Sequence, residues 1–293
     1  MHYIKTDNGI LLKDAKDFQP AHIFECGQCF RWNAMPDGSY RGVAGGKTLR
    51  VFKKGCDVLF DGTDEREFNG YWASYFDLER DYGIIKEKLS GDPVLARAIE
   101  FGYGIRILKQ ETWETLVSFI ISANNRIPRI KSTIERLCRL YGEKHKLGGE
   151  TYFDFPAPRR LAQLGEEDIL ACGCGFRAKY VLKAARIMAE GEMDLERLAG
   201  MGTADARNGL MCFAGVGPKV ADCIMLFSMA KFDAFPVDVW VKRVMEHYYL
   251  KKDTPLAEIR RYANRKFGPI AGVAQQYLFY YARGTMGKAA GKR

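Results

Sequence analysis

Residues 215–223 read G-V-G-P-K-V-A-D-C, and residues 236–238, one apolar stretch later, read P-V-D. Glycines let the backbone adopt a tight turn with positive φ, and the proline fits the first turn of a helix because its missing N–H costs nothing there. The sequence therefore predicts two helices joined by a hairpin over about residues 211–222, with a third helix beginning at Asp238.

The predicted turn carries backbone groups that suit a phosphate. We expect the N–H groups of Gly215, Val216 and Gly217, with those of the following helix, to bind a phosphate oxygen directly or through a cation. The alternative is an ordinary corner between two helices that binds no ligand.

Lys219 falls in the first turn of the second helix, where the positive end of the helix dipole favours a neutral amine. A neutral amine is what attacks C1′ of a deoxyribose to form a Schiff base. Cys223 lies four residues on and therefore shares the helix face of Lys219. The alternatives are a solvated lysine that contacts phosphate and a small cysteine that fills the core.

Asp238 precedes an apolar-periodic run, so it is expected to cap the N-terminus of the third helix. A carboxylate at this place could also stabilise the positive charge that develops on a sugar when its base leaves. The two roles are compatible, because a capped carboxylate is oriented and kept ionised. Together these residues favour an enzyme that acts on nucleic acid.

The bulk composition agrees with a globular protein that meets a polyanion. The chain has 293 residues, of which 47% are hydrophobic and 28% charged, with a formal net charge of +9. This length favours two domains, and the basic surplus favours a nucleic-acid partner. No apolar run approaches the roughly 20 residues of a membrane span. The first residues lack the apolar core of a signal peptide, so we expect an intracellular protein.

Eight cysteines invite a metal interpretation through Cys26-x-x-Cys29 and Cys172-x-Cys174. Neither pair has a second pair at zinc-finger spacing, so reduced, buried thiols and no metal ligands are expected. No cysteine follows Cys223, which excludes a C-terminal iron–sulfur loop.

The pattern along the chain predicts an α+β protein. In about the first 60 residues, apolar and polar residues alternate between turn sequences, which predicts an antiparallel sheet. Residues 64–98 are predicted to form short helices. The helical period dominates from residue 99. We therefore predict a small antiparallel β domain with short helices (1–98) and a mostly helical body containing the hairpin (99–293), which ends in a disordered basic tail (287–293).

Four further stretches complete the pattern. They are C-G-Q-C-F-R-W (26–32), S-A-N-N-R-I-P-R (122–129), G-F-R-A-K-Y (175–180) and A-Q-Q-Y-L-F (274–279). With the hairpin, Lys219 and Asp238, they resemble the helix-hairpin-helix (HhH-GPD) superfamily of DNA glycosylases and, within it, the 8-oxoguanine DNA glycosylase/AP lyase family, in a form expected of a prokaryotic member. The resemblance runs from about residue 27 to 279. Within the superfamily, alkyl-base glycosylases resemble this chain in the aspartate but lack the lysine.

The resemblance implies a pocket for a flipped base. The carbonyl of Gly27 would accept the N7–H of 8-oxoguanine, a proton that guanine lacks. Gln275 would bond the Watson–Crick edge of the base, and Phe279 and Cys223 would sandwich its ring. Without the resemblance, Gly27 reads as a β-bulge glycine and Phe279 as a core residue.

The resemblance also implies contacts to the opposite strand. Asn124 would fill the gap left by the flipped base, Phe176 would act as a wedge, and Arg129 and Arg177 would read the acceptors of an unpaired cytosine. The alternative for each arginine is a solvated surface cation.

Three residues depart from the family pattern: Ala214 replaces a proline of the hairpin, Phe176 replaces a tyrosine, and Trp240 stands where eukaryotic members have a phosphate-contacting histidine. None of these changes touches Lys219 or Asp238.

By this resemblance, the chain is expected to excise 8-oxoguanine opposite cytosine from duplex DNA and to nick the strand by β-elimination. It would need no cofactor and no iron–sulfur cluster, with room for a structural monovalent or divalent cation at the hairpin. A monomer is expected and, for a prokaryotic chain, a location in the cytoplasm at the nucleoid. The alternatives are a monofunctional alkyl-base glycosylase and a non-catalytic DNA-binding module.

Overall fold

The N-terminal part of the chain is an antiparallel six-stranded sheet, as predicted. The computed structural model of the protein describes residues 1–147 and 150–290. The sheet has the strand order β1-β2-β6-β5-β4-β3. Its strands are β1 (Tyr3–Thr6), β2 (Gly9–Leu12), β3 (Trp32–Ala34), β4 (Tyr40–Ala44), β5 (Lys47–Lys54) and β6 (Asp57–Asp61).

One face of the sheet is buried by aromatic side chains. Phe24, at the end of the short helix α1 (Pro20–Phe24), stacks on Trp32 with the ring centroids 4.1 Å apart, and Phe60 packs edge-on to Phe18 at 5.5 Å. Trp72, from a helical segment after the sheet, packs against Trp32 at 6.1 Å. This aromatic core fixes the position of the chain between Phe24 and Trp32, which contains one of the sequence motifs.

The residues that follow the sheet form the predicted short helices. These are α2 (Glu65–Glu67), a π-helical turn (Phe68–Trp72), α3 (Ala73–Tyr75), α4 (Tyr82–Ser90) and α5 (Pro93–Phe101). The predicted boundary at 98/99 falls inside α5, whose buried residues Leu95, Ala98 and Ile99 belong to the core of the helical body. The apolar face of α5 therefore joins the helical body before residue 99.

The helical body contains eleven further α-helices among the described residues. They are α6 (Thr112–Ser122), α7 (Ile127–Tyr141), α8 (Pro158–Ala162), α9 (Glu166–Ala171), α10 (Ala178–Glu190), α11 (Leu195–Gly200), α12 (Thr203–Leu210), α13 (Pro218–Ser228), α14 (Val239–Met245), α15 (Leu256–Phe267) and α16 (Ala271–Ala290). Single 3-10 or π turns flank some of them, at Gly175–Arg177, Glu246–Leu250 and Gly268–Ile270.

A second, two-stranded sheet lies within the helical body and was not predicted. Strands β7 (Lys144–Leu147) and β8 (Glu150–Phe153) pair antiparallel. Each strand is four residues long, and neither K-H-K-L nor E-T-Y-F alternates apolar with polar residues, so periodicity does not reveal them. The carbonyl of Phe153 accepts a hydrogen bond from Arg31, which connects this hairpin to the N-terminal motif.

Two helix contacts set the geometry of the site. Helix α13 packs on α6, where Phe119 stacks with Phe227 at 5.6 Å, and α14 packs on α16. Helix α16 continues to Ala290, which is four residues into the predicted tail, and residues 291–293 lie outside the described residues. Across residues 1–147 and 150–290, no helix combines the length and apolar character that crossing a bilayer requires.

Candidate active site

The predicted hairpin is present between α12 and α13. Gly215 has φ +85°, and a Cβ placed on it would lie 2.8 Å from the ring of Tyr180, so both the backbone and the close approach require glycine. Gly217 is the N-cap residue of α13, and Pro218 occupies its first turn. The two glycines therefore have different roles, one in the turn and one at the helix start.

Of the three backbone N–H groups that were predicted to bind phosphate, one already has a hydrogen-bond acceptor. The N–H of Val216 donates to the carbonyl of Phe213 at 3.1 Å, because the turn closes on itself there. The N–H groups of Gly215 and Gly217 have no backbone acceptor within residues 1–147 and 150–290. A phosphate contact through these two remains a prediction, and one through the N–H of Val216 would require that bond to open.

Lys219 and Cys223 share one face of α13, as the four-residue spacing predicts. Lys219 is half-buried, and its Nζ lies 5.3 Å from the centroid of the Phe119 ring. Cys223 is buried, and burial raises the pKa of its thiol to about 11, although the Lys219 cation opposes the shift. Cys223 is therefore a neutral thiol at physiological pH, in contact with the lysine.

Asp238 caps the N-terminus of α14, which confirms that part of its predicted role. Its Oδ1 accepts the N–H of Val241 at 2.8 Å. Burial raises the pKa of this carboxyl, while the Val241 N–H and the positive charge of Lys219 oppose the rise. The charge of Lys219 therefore acts on the Asp238 carboxyl, although one helix separates the two residues in the chain.

A buried ion triad anchors α13 and was missed by the sequence analysis. Asp222 is fully buried, and its two carboxylate oxygens accept hydrogen bonds from Arg207 Nε and Arg260 Nε at 2.7 Å each. The arginines belong to α12 and α15, so the triad ties three helices together next to Lys219. A lone aspartate in an apolar helical stripe is the only sequence signal for it.

Gly27 meets α16 as the implied pocket requires. Its φ is +81°, and a Cβ placed on it would lie 3.2 Å from Cε1 of Phe279 and 3.5 Å from Nη1 of Arg283. The carbonyl before it, that of Cys26, accepts a hydrogen bond from Gln276 Nε2 at 2.8 Å. Two segments from opposite ends of the chain therefore form one wall, and Gln276 and Arg283 are members that the sequence analysis did not name.

Gln275 lies on the same side of α16 as Phe279, one turn earlier. The Gln275 side chain is 4% exposed, and its Oε1 has no hydrogen-bond partner among the described residues. A buried acceptor without a partner is unusual in a folded protein. It is explained if a ligand supplies the donor.

Three of the four residues expected to contact the opposite strand are exposed. Asn124 is exposed and has φ +49°, which presents its side chain on the loop after α6. Arg129 is exposed in the first turn of α7, and the Phe176 ring is 57% exposed. Their exposure leaves these side chains accessible to a partner, and their contacts with the opposite strand stay a prediction.

Arg177 is not the solvated cation that was its alternative interpretation. It is 5% exposed, and its guanidinium donates to the carbonyls of Ala123 at 2.6 Å, Asn124 at 2.8 Å and Cys174 at 3.3 Å. Burial and the nearby Arg129 cation lower the pKa of Arg177. It therefore supports the Asn124 loop, and its contact with cytosine remains a prediction.

Three side chains of metal-binding type meet away from this site, around β7 and β8. The ligand atoms of Glu143, His145 and Asp154 lie within 4.8 Å of one another. Nε2 of His145 and Oδ2 of Asp154 are 2.7 Å apart, as a hydrogen bond without an ion explains. The sequence analysis named no metal ligand, and these residues play no part in the chemistry below.

The arrangement combines a lysine, which interacts with a carboxylate, and helix α16, which carries the buried, unpaired acceptor Oε1 of Gln275. An amine of this kind can attack an electrophilic carbon and form a Schiff base, and a fixed carboxylate can stabilise positive charge on the attacked group. The pocket wall has an aromatic ring and a glycine backbone, which suit a flat ligand such as a base.

Comparisons with known proteins agree with this chemistry. Residues 10–116 match the 8-oxoguanine DNA glycosylase N-terminal domain, and residues 117–269 match the HhH-GPD superfamily base excision DNA repair proteins. The probable N-glycosylase/DNA lyase of Methanothermobacter thermautotrophicus is 36% identical over 71% of each chain.

Two solved structures are similar over nearly the whole chain. The 8-oxoguanine glycosylase/lyase of Clostridium acetobutylicum, in complex with duplex DNA containing cytosine opposite 8-oxoguanine, is 45% identical over 98% of this chain and 99% of its own, with a TM-score of 0.95. MBOgg1, in complex with a low-affinity DNA ligand, is 49% identical over 98% of this chain and 100% of its own, with a TM-score of 0.95.

Proposed function

We propose that this protein excises 8-oxoguanine paired with cytosine and nicks the DNA strand. The chain belongs to the 8-oxoguanine DNA glycosylase family of the HhH-GPD superfamily. The observation that carries the mechanism is that Lys219 interacts with both Cys223 and Asp238, while Gly27 lies against Phe279 of α16. A monofunctional glycosylase does not require this amine.

Recognition follows from the pocket wall. The flipped base would lie between Phe279 and Cys223, whose neutral thiol presents a soft surface to the ring. The unpaired Oε1 of Gln275 would accept a donor from the Watson–Crick edge. The carbonyl of Gly27 would accept N7–H, which only the oxidised base carries, whereas the N7 lone pair of guanine would repel it.

The chemistry then proceeds at C1′. Once Lys219 has given up a proton, its Nζ forms the Nζ–C1′ bond while the C1′–N9 bond breaks, and the base departs with the bonding pair and takes up the proton that the amine released. The Asp238 carboxylate stabilises the positive charge on the sugar. Opening of the sugar ring gives the Schiff base, and loss of a C2′ proton then expels the 3′ phosphate by β-elimination.

The remaining parts of the proposal concern DNA binding. Gly215 and Gly217 would bind phosphate through their free N–H groups, with a cation at the turn carbonyls as an accessory and no catalytic metal. Asn124, Arg129, Phe176 and Arg177 would contact the opposite strand. We further propose a monomer that acts in the cytoplasm at the nucleoid.

Borohydride trapping tests the reaction directly. The protein is incubated with a duplex carrying one 8-oxoguanine opposite each normal base in turn, and borohydride reduces any Schiff base to a stable adduct. We expect a trapped complex that favours cytosine and is lost in Lys219→Gln. Lys242→Gln is the matched control, because that lysine lies on α14 and pairs with Glu246 at 2.6 Å.

Each of the other outcomes would indicate a different function for this protein. Base release without trapping would indicate a monofunctional glycosylase in which Lys219 only contacts DNA. DNA binding with neither release nor trapping would indicate another lesion or a binding module. Release at the wild-type rate by Lys219→Gln would refute the nucleophile.

A further inference from the structure

Helix α16 reaches the base pocket at three successive turns. Gln275, Phe279 and Arg283 follow one another at four-residue spacing, so their side chains leave the same side of the helix. Gln275 and Phe279 belong to the proposed pocket. Arg283 extends the row by one turn, and its Nη1 lies 3.5 Å from the position that a Cβ on Gly27 would occupy.

Arg283 also holds the chain just before Gly27. Its Nη2 donates to the carbonyl of Glu25 at 2.6 Å, and Gln276 Nε2 donates to the carbonyl of Cys26 at 2.8 Å. Two consecutive carbonyls are therefore fixed by one helix. Because the Cys26–Gly27 peptide is planar, these bonds hold the peptide plane that enters Gly27, and the direction of the Gly27 carbonyl then depends on φ and ψ of Gly27 alone.

The other side of Gly27 is fixed independently. The Gln28 side chain donates to the carbonyls of Ile23 at 2.9 Å and Arg106 at 2.8 Å, and accepts the N–H of Leu108 at 2.9 Å. The backbone before Gly27 is thus the adjustable part, because it depends on two side-chain bonds from α16. A glycine with φ +81° has no side chain of its own to restrain it.

The remaining nitrogen of Arg283 argues against a purely structural role. Nη1 is buried and has no hydrogen-bond partner among the described residues, and the guanidinium lies 5.6 Å from the centroid of the Phe279 ring. An unpaired buried donor on a charged group is destabilising.

We propose that Arg283 is a positioning residue for lesion recognition, which aims the carbonyl of Gly27 at N7–H of the flipped base. The inference rests on the proposed function. It assigns part of the discrimination between 8-oxoguanine and guanine to a side chain that need not touch the base. Loss of Arg283 lets the Gly27 carbonyl turn away, so that attraction to the lesion and repulsion of guanine both weaken.

Equilibrium binding in the Lys219→Gln background measures this discrimination without turnover. The dissociation constants are measured for three duplexes that differ at one nucleotide opposite cytosine: 8-oxoguanine, guanine and an abasic site. We expect Arg283→Met to lower the preference for 8-oxoguanine over guanine about tenfold, the effect of one charge-assisted hydrogen bond. Arg283→Lys, which keeps a donor and the charge, should recover part of that preference.

The abasic duplex separates positioning from DNA contact, because it has no base for the Gly27 carbonyl to meet. A positioning role predicts that its affinity changes less than about twofold in Arg283→Met. Arg265→Met removes the same charge from an exposed position on α15 and is the matched control for general electrostatics.

The possible outcomes are distinct. An equal loss of affinity for all three duplexes would overturn the proposal and make Arg283 a DNA-backbone contact. An unchanged preference would also overturn it. If Lys219→Gln itself shows no preference for 8-oxoguanine, the proposed function fails instead. Should Arg283→Met not fold, Gln276→Leu removes the adjacent bond to Cys26, and an unchanged preference there would count against the proposal.

Discussion

Asp222→Asn is expected to destabilise the protein far more than its conservative size suggests. Asp222 is fully buried on α13, and its carboxylate accepts from Arg207 and Arg260 at 2.7 Å each. The asparagine keeps the volume but supplies one acceptor oxygen and no charge. Two arginine side chains that are only 17% and 15% exposed then lose their counter-charge.

The magnitude follows from this burial. Removing one partner of a buried ion pair costs about 3–5 kcal/mol, because it leaves an uncompensated charge away from water. Here one substitution uncovers two cations, so the free energy of unfolding should fall by at least about 3 kcal/mol. An exposed pair behaves differently and contributes about 0–1 kcal/mol.

Urea unfolding followed by tryptophan fluorescence measures the difference. Glu135→Gln on α7 is the matched control, since its pair with Arg139 spans 3.7 Å and both side chains are more than half exposed. A triple variant that combines Asp222→Leu with Arg207→Met and Arg260→Met removes all three charges at once. It should recover most of the lost stability, because no buried charge remains without a partner.

A loss below about 1 kcal/mol for Asp222→Asn, equal to that of Glu135→Gln, would contradict the burial argument. It would mean that the two arginines reach water when the charge is removed. A triple variant that is as unstable as Asp222→Asn would also contradict it, since uncompensated buried charge would not then be the cause.

Three further outcomes follow from the geometry. Burial raises the pKa of Asp238, so the single-turnover excision rate should fall as the pH drops through a pKa above that of an ordinary aspartate. If the residual activity of Asp238→Asn shows the same fall at low pH, another group is responsible for it. Gly215→Ala should lower the free energy of unfolding by about 1–2 kcal/mol because of its positive φ, whereas Gly217→Ala, with φ −94° and open space around a Cβ, should cost less. Cys56 and Cys212 are the exposed thiols, so iodoacetamide should modify two sites in the native protein, and mass spectrometry that finds a third would contradict the buried thiols.

Much of the site was predictable because it depends on local spacing. The hairpin glycines, the four-residue interval from Lys219 to Cys223 and the cap at Asp238 are properties of one short stretch. Helical periodicity likewise placed Gln275 and Phe279 on one face of a helix. Such patterns reflect backbone geometry and hold whatever the rest of the chain does.

Other features were not predictable because they depend on residues that meet only after folding. The neighbouring sequence does not indicate that Arg177 is buried and donates to three backbone carbonyls, or that the N–H of Val216 closes the turn. The strands β7 and β8 were not predicted, since they are four residues long and lack an alternation of apolar and polar residues. The predicted 98/99 boundary falls within helix α5, whose buried residues pack into the core of the helical body, a contact that is formed only in the folded chain.

The order of residues was enough to specify the elements of this protein and the chemistry they carry: an antiparallel sheet, a helical body, a glycine hairpin, and a lysine and an aspartate one helix apart. Only the tertiary structure decided which side chains of distant segments interact. The bonds from Gln276 to Cys26 and from Arg283 to Glu25 join the two ends of the chain. Side-chain hydrogen bonds and buried charges depend on distances of a few ångströms, which chain spacing fixes within a helix but not between distant segments.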